Sequence, residues 1–151
     1  MSRQDKRTVP LSCRIMAVDY GDARTGVAVS DVSLSIAGDA WVVQSKRAAD
    51  VAQAIVDEAA ARGVSRIIVG HPKNMDGSIG SRAEKCEQFA EMLRSICDVE
   101  VILWDERLTT MSAQRVLTDV GTFGKKRKKT IDAVAASLIL ESYLGTLKPT
   151  S

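Results

Sequence analysis

Hydrophobic and polar positions change rhythm twice along this chain. Up to Gln44 the apolar residues fall in short runs separated by turn-forming residues. Leu11–Tyr20 and Thr25–Ser30 read as two strands joined by Gly21-Asp22-Ala23-Arg24, and Asp39–Gln44, with Trp41, Val42 and Val43, as a third. The spacing then becomes helical. Asp50 with Gln53 marks a helix start, and Ala52, Ile55, Val56, Ala59 and Ala60 keep the period until Gly63 stops it. Ser65–Gly70 is a short continuous apolar strand, followed by the loop HPKNMDGSIG at 71–80. Ser81 with Glu84 has the form of a capping box opening a second helix, whose buried face is Cys86, Phe89, Ala90, Leu93 and Cys97. Val99–Trp104 is a fifth strand. Thr110–Val120 and Ile131–Leu144 read as two further helices separated by a basic loop.

This order fixes strand directions. Short turns make the first three strands antiparallel, whereas helical crossovers make the remaining ones parallel. The fold class is therefore α/β: a five-stranded mixed sheet, three antiparallel strands then two parallel, flanked by helices. A chain of 151 residues suits one domain with a real core, expected over 11–147, with 1–10 as a mobile N-terminal tail. No apolar run approaches the roughly 20 residues that span a bilayer, and MSRQDKRTVP has no apolar segment behind its cations, so a cytoplasmic location and no membrane partner are expected. The three cysteines, Cys13, Cys86 and Cys97, show no metal-type spacing and fit a reducing compartment.

Charge changes the picture through its distribution. Net charge is +2, but Lys125, Lys126, Arg127, Lys128 and Lys129 form an unbroken cationic run. Taking these five from the 21 Lys and Arg leaves 16 against 19 Asp and Glu. A mildly acidic body with one basic segment suits an anionic polymer touching one edge, although such a run can also be merely solvated.

Three acids stand out by position. Asp19 closes the first strand in AVDYG, Glu106 follows the fifth in ILWDERLTT, and Asp132 is the second residue of the last helix in TIDAVAAS. In open sheets, strand ends and helix starts are where ligands gather. Converging carboxylates repel one another without cations, and Mg²⁺ prefers such oxygen ligands. Each acid has a plainer reading: Asp132 can complement its helix dipole, and Glu106 can pair with Arg107. Asp105 competes with Glu106, since strand alternation lets only one of them point at a given face. The loop 70–80, with three glycines, can offer backbone N–H groups to a phosphate or serve as a plain connection. His71, the only histidine, suits packing or a substrate edge better than catalysis.

AVDYGDARTGVAVSD, VGHPKNMDGSIG, LWDERLTT and IDAVAASLILESYL resemble, in order and spacing, the four motif blocks of the YqgF/RuvX family over roughly residues 14–145. The resemblance implies a ribonuclease H-like fold related to RuvC-type Holliday junction resolvases. It also implies a divalent-metal nuclease, with Mg²⁺ or Mn²⁺ as cofactor, that matures the 5′ end of pre-16S rRNA. Carried over by position, Asp19, Glu106 and Asp132 are the catalytic and metal-binding acids. Arg24 and Arg107 match motif arginines suited to phosphate, and Asn74, Asp76 and Gly77 match the loop after the fourth strand. His71 replaces an expected leucine.

The expected nucleic-acid contacts are thus Arg24, Asn74, Arg107 and the cations 125–129. The resemblance favours pre-16S rRNA as partner, with branched DNA and small-subunit precursor particles also considered, and monomer or homodimer left open. Two alternatives stay beside the rRNA nuclease: a Holliday junction resolvase, and a ribosome-assembly factor that binds nucleic acid without cutting it. The DxG turn also occurs in sugar kinases and actin-like ATPases, but those need a second domain for which the chain lacks length.

Overall fold

In the computed structural model, residues 14–31, 37–108 and 124–147 are described, with backbone alone at 37, 108, 124–130 and 132. The expected 1–10 tail and the expected helix Thr110–Val120 lie outside the described residues. The elements are β1 (Arg14–Asp19), β2 (Arg24–Ser30), β3 (Ala37–Gln44), α1 (Ala48–Arg62), β4 (Val64–His71), α2 (Ser81–Ile96), β5 (Glu100–Asp105), a 3-10 turn (Glu106–Leu108) and α3 (Gly124–Leu144). The strands form one sheet in the order β3-β2-β1-β4-β5. β1 pairs antiparallel with β2, and β2 with β3; β4 lies parallel to β1, and β5 parallel to β4. These are the directions that the short turns and helical crossovers require.

Strand alternation splits the core into two layers. Met16, Val18, Val27, Ile67, Val69 and Val101 face one way, against Val51, Ala52, Ile55 and Ala59 of α1 and Cys86, Phe89, Ala90 and Leu93 of α2. Ile15, Ala17, Ala28 and Ile68 face the other way, against Ala136, Ile139, Leu140 and Tyr143 of α3. The far end of α3 is pinned where the buried Arg66 donates to the Tyr143 hydroxyl at 2.6 Å and to Glu100 at 2.8 Å. Trp104 meets Tyr143 edge to face, with ring centroids 5.4 Å apart. Among the described residues no helix is long and apolar enough to cross a membrane.

Two local expectations need correction. Ser81 does not cap α2: it is the first helical residue, and extended Gly80 takes the N-cap without a side-chain bond. The amide of Glu84 instead reaches the Gly80 carbonyl at 3.0 Å. The last helix starts at Gly124 rather than Ile131, so the cations 125–129 lie within helical backbone and not in a loop. Lysine and arginine are good helix formers, and no proline or glycine interrupts residues 125–144.

Candidate active site

The carboxyl ends of the two parallel crossovers set up the site. Along β1, Ile15 and Ala17 face α3, so alternation carries Asp19 to that face as well. Along β5, Ile102 and Trp104 pack with the α3 layer while Val101 and Leu103 pack on the opposite one. Asp105 therefore belongs to the far face and Glu106 to the α3 face. Between these strands lies β4, whose Gly70 faces α3 in the same register, opposite Trp104. Adjacent strands are about 4.8 Å apart, so the backbones of β1 and β5 are about 10 Å apart across β4, within reach of two carboxylate side chains.

Gly70 makes the approach feasible. A β-carbon there would come within 2.5 Å of the Glu106 Oε2 atom and 2.8 Å of the Ile139 Cδ1 atom. The Glu106 carboxylate thus lies over the bare backbone of β4, between the strand that carries Asp19 and the helix that carries Asp132.

The electrostatics follow from this placement. Burial pushes the Glu106 carboxyl up to about 7, the negative charge of Asp19 adds to the rise, and Arg82 partly offsets it. Asp19 keeps only 15% of its side chain exposed, and its Oδ1 lies 3.9 Å from an Arg82 guanidinium nitrogen. Beneath them the Cys86 thiol is pushed up to about 12, chiefly by burial and then by Glu106. The charge of Asp19 thus opposes ionisation of Glu106 at this edge of the sheet.

Asp105 has a different environment. Its carboxylate accepts from Arg107 Nε at 3.0 Å and Nη2 at 2.7 Å, and from the Arg107 amide at 3.0 Å. Those bonds hold its pKa below the usual value. Arg107, expected at phosphate, is therefore already tied to a carboxylate. Asn74 is similarly engaged: its side-chain amide donates to the Ser78 hydroxyl at 2.9 Å, and its carbonyl accepts from the Gly77 amide at 2.8 Å. Gly77 sits at φ +87, where a side chain would be strained, and closes this tight turn. Asp76 accepts twice from Ser78, which lowers its pKa. The loop is thus braced by its own polar groups.

Arg24 opens β2 at the same sheet edge, exposed and in register with Gln44. His71 is buried and bonds Glu87 of α2 through Nε2 at 2.7 Å, on the side of the sheet away from α3, in keeping with a packing role. The side chains of Asp132 and of residues 125–129 lie outside the described ones. Position 132 falls four and seven residues before Ala136 and Ile139 in the sequence of α3. Among the described residues no three His, Cys, Asp or Glu side chains gather as a metal site; of the expected acids, Asp19 and Glu106 are electrostatically coupled.

Arg82 and Gly70 were not singled out from the sequence. Gly70 could have been found by parity, being the one residue of its apolar strand able to leave room on the face of Asp19. Arg82 carried only a weak signal, an arginine in the first turn of a helix that starts at the functional edge.

A five-stranded mixed sheet of this order, with helices on both faces, is the architecture of the ribonuclease H-like fold. The family model described as "RuvX: Holliday junction resolvase" matches residues 13–146, and the chain belongs to that family. A protein of Halothermothrix orenii named "Putative pre-16S rRNA nuclease" is 46% identical over 135 residues, covering 87% of this chain and 94% of its own. One of the same name from Geobacillus kaustophilus is 44% identical over 138 residues, covering 88% and 98%. Among solved structures, T. thermophilus RuvC in complex with Holliday junction substrate superposes with a TM-score of 0.60 at 14% identity, covering 91% of this chain and 99% of that one. This last likeness is one of fold.

Proposed function

We propose that this chain hydrolyses phosphodiester bonds of pre-16S rRNA at its 5′ end, using a divalent cation held by Asp19, Glu106 and Asp132. The observation that carries the reading is the burial of Glu106 over Gly70, electrostatically opposed to Asp19. Nothing in packing calls for two mutually repelling acids at one sheet edge, whereas a hard dication relieves both the repulsion and the desolvation. The donor set, carboxylate oxygens alone, fits Mg²⁺ or Mn²⁺. Such an ion supplies Lewis-acid relief of phosphate charge and acidifies the attacking water.

The protein's own part is positional. Asp19 and Glu106 are fixed by strand ends, so their oxygens are oriented before substrate arrives. Asp105 and Arg107, locked together, brace the turn that carries Glu106. The cations 125–129 at the start of α3 supply backbone affinity without base readout, as befits a chain with 4% aromatic residues. Relatives named as pre-16S rRNA nucleases favour the rRNA substrate, and membership of a family named for Holliday junction resolution keeps the four-way junction as the second reading.

The test is Mn²⁺-dependent cleavage of a pre-16S 5′-leader RNA beside a four-way DNA junction, wild type against Asp19→Asn. The expected result is RNA cleavage that the variant loses while its circular dichroism and melting curve remain those of a folded protein. Junction cleavage alone would move the assignment to DNA. Metal-dependent cleavage undiminished in Asp19→Asn would remove Asp19 from the chemistry.

A further inference from the structure

We propose that Arg82 is a catalytic phosphate-binding residue, donating from its guanidinium to a non-bridging oxygen of the phosphodiester being cut. The inference rests on the nuclease reading above and adds a residue that the acid motifs do not contain.

Arg82 lies in the first turn of α2, on the helix layer opposite α3, and reaches over the strand ends to the acids. Its Nη2 stands 3.9 Å from Asp19 Oδ1, beyond hydrogen-bond length, so charge and not a fixed bond holds the pair. The arginine side chain is 59% exposed, against 15% for Asp19, so it lies on the solvent side of the acid, where a substrate must arrive. Neighbouring cations are more firmly committed: Lys85 holds Asp22 at 3.1 Å, and Arg107 holds Asp105 at 2.7 Å. Beside Arg82 a cleft of about 140 Å³ opens between Tyr20, Gly21, Asp22, Ser81 and Lys85. The cleft leaves open space on the Tyr20–Lys85 side of Arg82, although Asp19 and Glu106 do not line it.

The chemistry matches the position. Hydrolysis gathers negative charge on the non-bridging oxygens as the water oxygen adds to phosphorus and the leaving oxygen departs. A planar guanidinium can give two parallel hydrogen bonds to those oxygens. A dication held by Asp19 and Glu106 would weaken the attraction of Asp19 for Arg82 and leave the guanidinium available to substrate. Arg82 would then contribute mainly at the transition state.

The experiment compares wild type, Arg82→Ala and Arg82→Lys in Mn²⁺-dependent cleavage of the pre-16S leader RNA, with Asp19→Asn as the inactive control. Mn²⁺ binding without RNA is followed in parallel by electron paramagnetic resonance. Arg82→Ala is expected to lower kcat by about 100-fold with little change in KM, as for loss of one transition-state donor. Added guanidinium, or lysine at that position, should restore part of the rate. Mn²⁺ binding should tighten in Arg82→Ala, because a positive neighbour of the acids is gone, whereas a merely structural arginine would weaken it when lost. Wild-type cleavage with Arg82→Ala within two-fold of it overturns this proposal and leaves the nuclease reading standing. So does a rate loss matched by an equal loss of Mn²⁺ affinity. Absence of wild-type cleavage of both this RNA and the four-way junction overturns both.

Discussion

Replacing Glu106 with glutamine removes a buried charge while keeping the side chain's shape. In the folded chain burial first, and the Asp19 charge second, raise the Glu106 pKa from 4.5 to about 7. In the unfolded chain the carboxyl keeps its ordinary value. Between those two values the folded state binds the proton more tightly, so stability falls as pH rises through the window. Below it both states are protonated and nothing is lost; above it the loss is complete. At 1.36 kcal/mol per pH unit, the wild type forfeits on the order of 3 kcal/mol. For a domain of this length that corresponds to roughly 6–12 °C in Tm. Thermal unfolding in EDTA, followed by circular dichroism, measures it. Wild type and Glu106→Gln should melt together near pH 4, and the variant should melt higher at about pH 8. Mn²⁺ added at the higher pH should raise the wild-type Tm and leave the variant's nearly unmoved. A difference that stays flat with pH, or grows toward acid, would refute a Glu106 carboxylate buried against Asp19.

Gly70→Ala places a methyl within 2.5 Å of the Glu106 carboxylate and 2.8 Å of Ile139, so a loss of about 1–3 kcal/mol in urea unfolding is expected. Cleavage should drop with it as Glu106 is displaced; an unaltered rate would separate Gly70 from the site. Neutralising the five cations 125–129 should weaken RNA binding and reduce its log–log salt slope by up to about four, and an unchanged slope would leave the run merely solvated.

The sheet was legible because its periods are clean. Alternation in β1 and β2, and the apolar run of β4 between two helical segments, left one plausible topology. The acids were legible as positions but not as partners. Asp105 and Glu106 are adjacent, and only the facing of Ile102 and Trp104 toward α3 assigns opposite sides to the two. Arg107 and Asn74 have chemistry suited to phosphate, yet spend much of it on Asp105 and on the loop itself, and residue type alone does not reveal such commitments. The start of α3 was missed because the cationic run resembles a solvated loop by charge, while its helix propensity favours continuation. Gly80 displaced Ser81 as cap because a glycine in extended backbone can fill that position without a side chain.

Crystals soaked in Mn²⁺ and measured at a wavelength where manganese scatters anomalously put the central claim to the most direct trial. Anomalous peaks are expected between the carboxylates of Asp19 and Glu106, with Asp132 completing the shell, and they should be lost in Asp19→Asn. Saturating Mn²⁺ with no peak at that sheet edge, or with its only ordered site elsewhere, would contradict it.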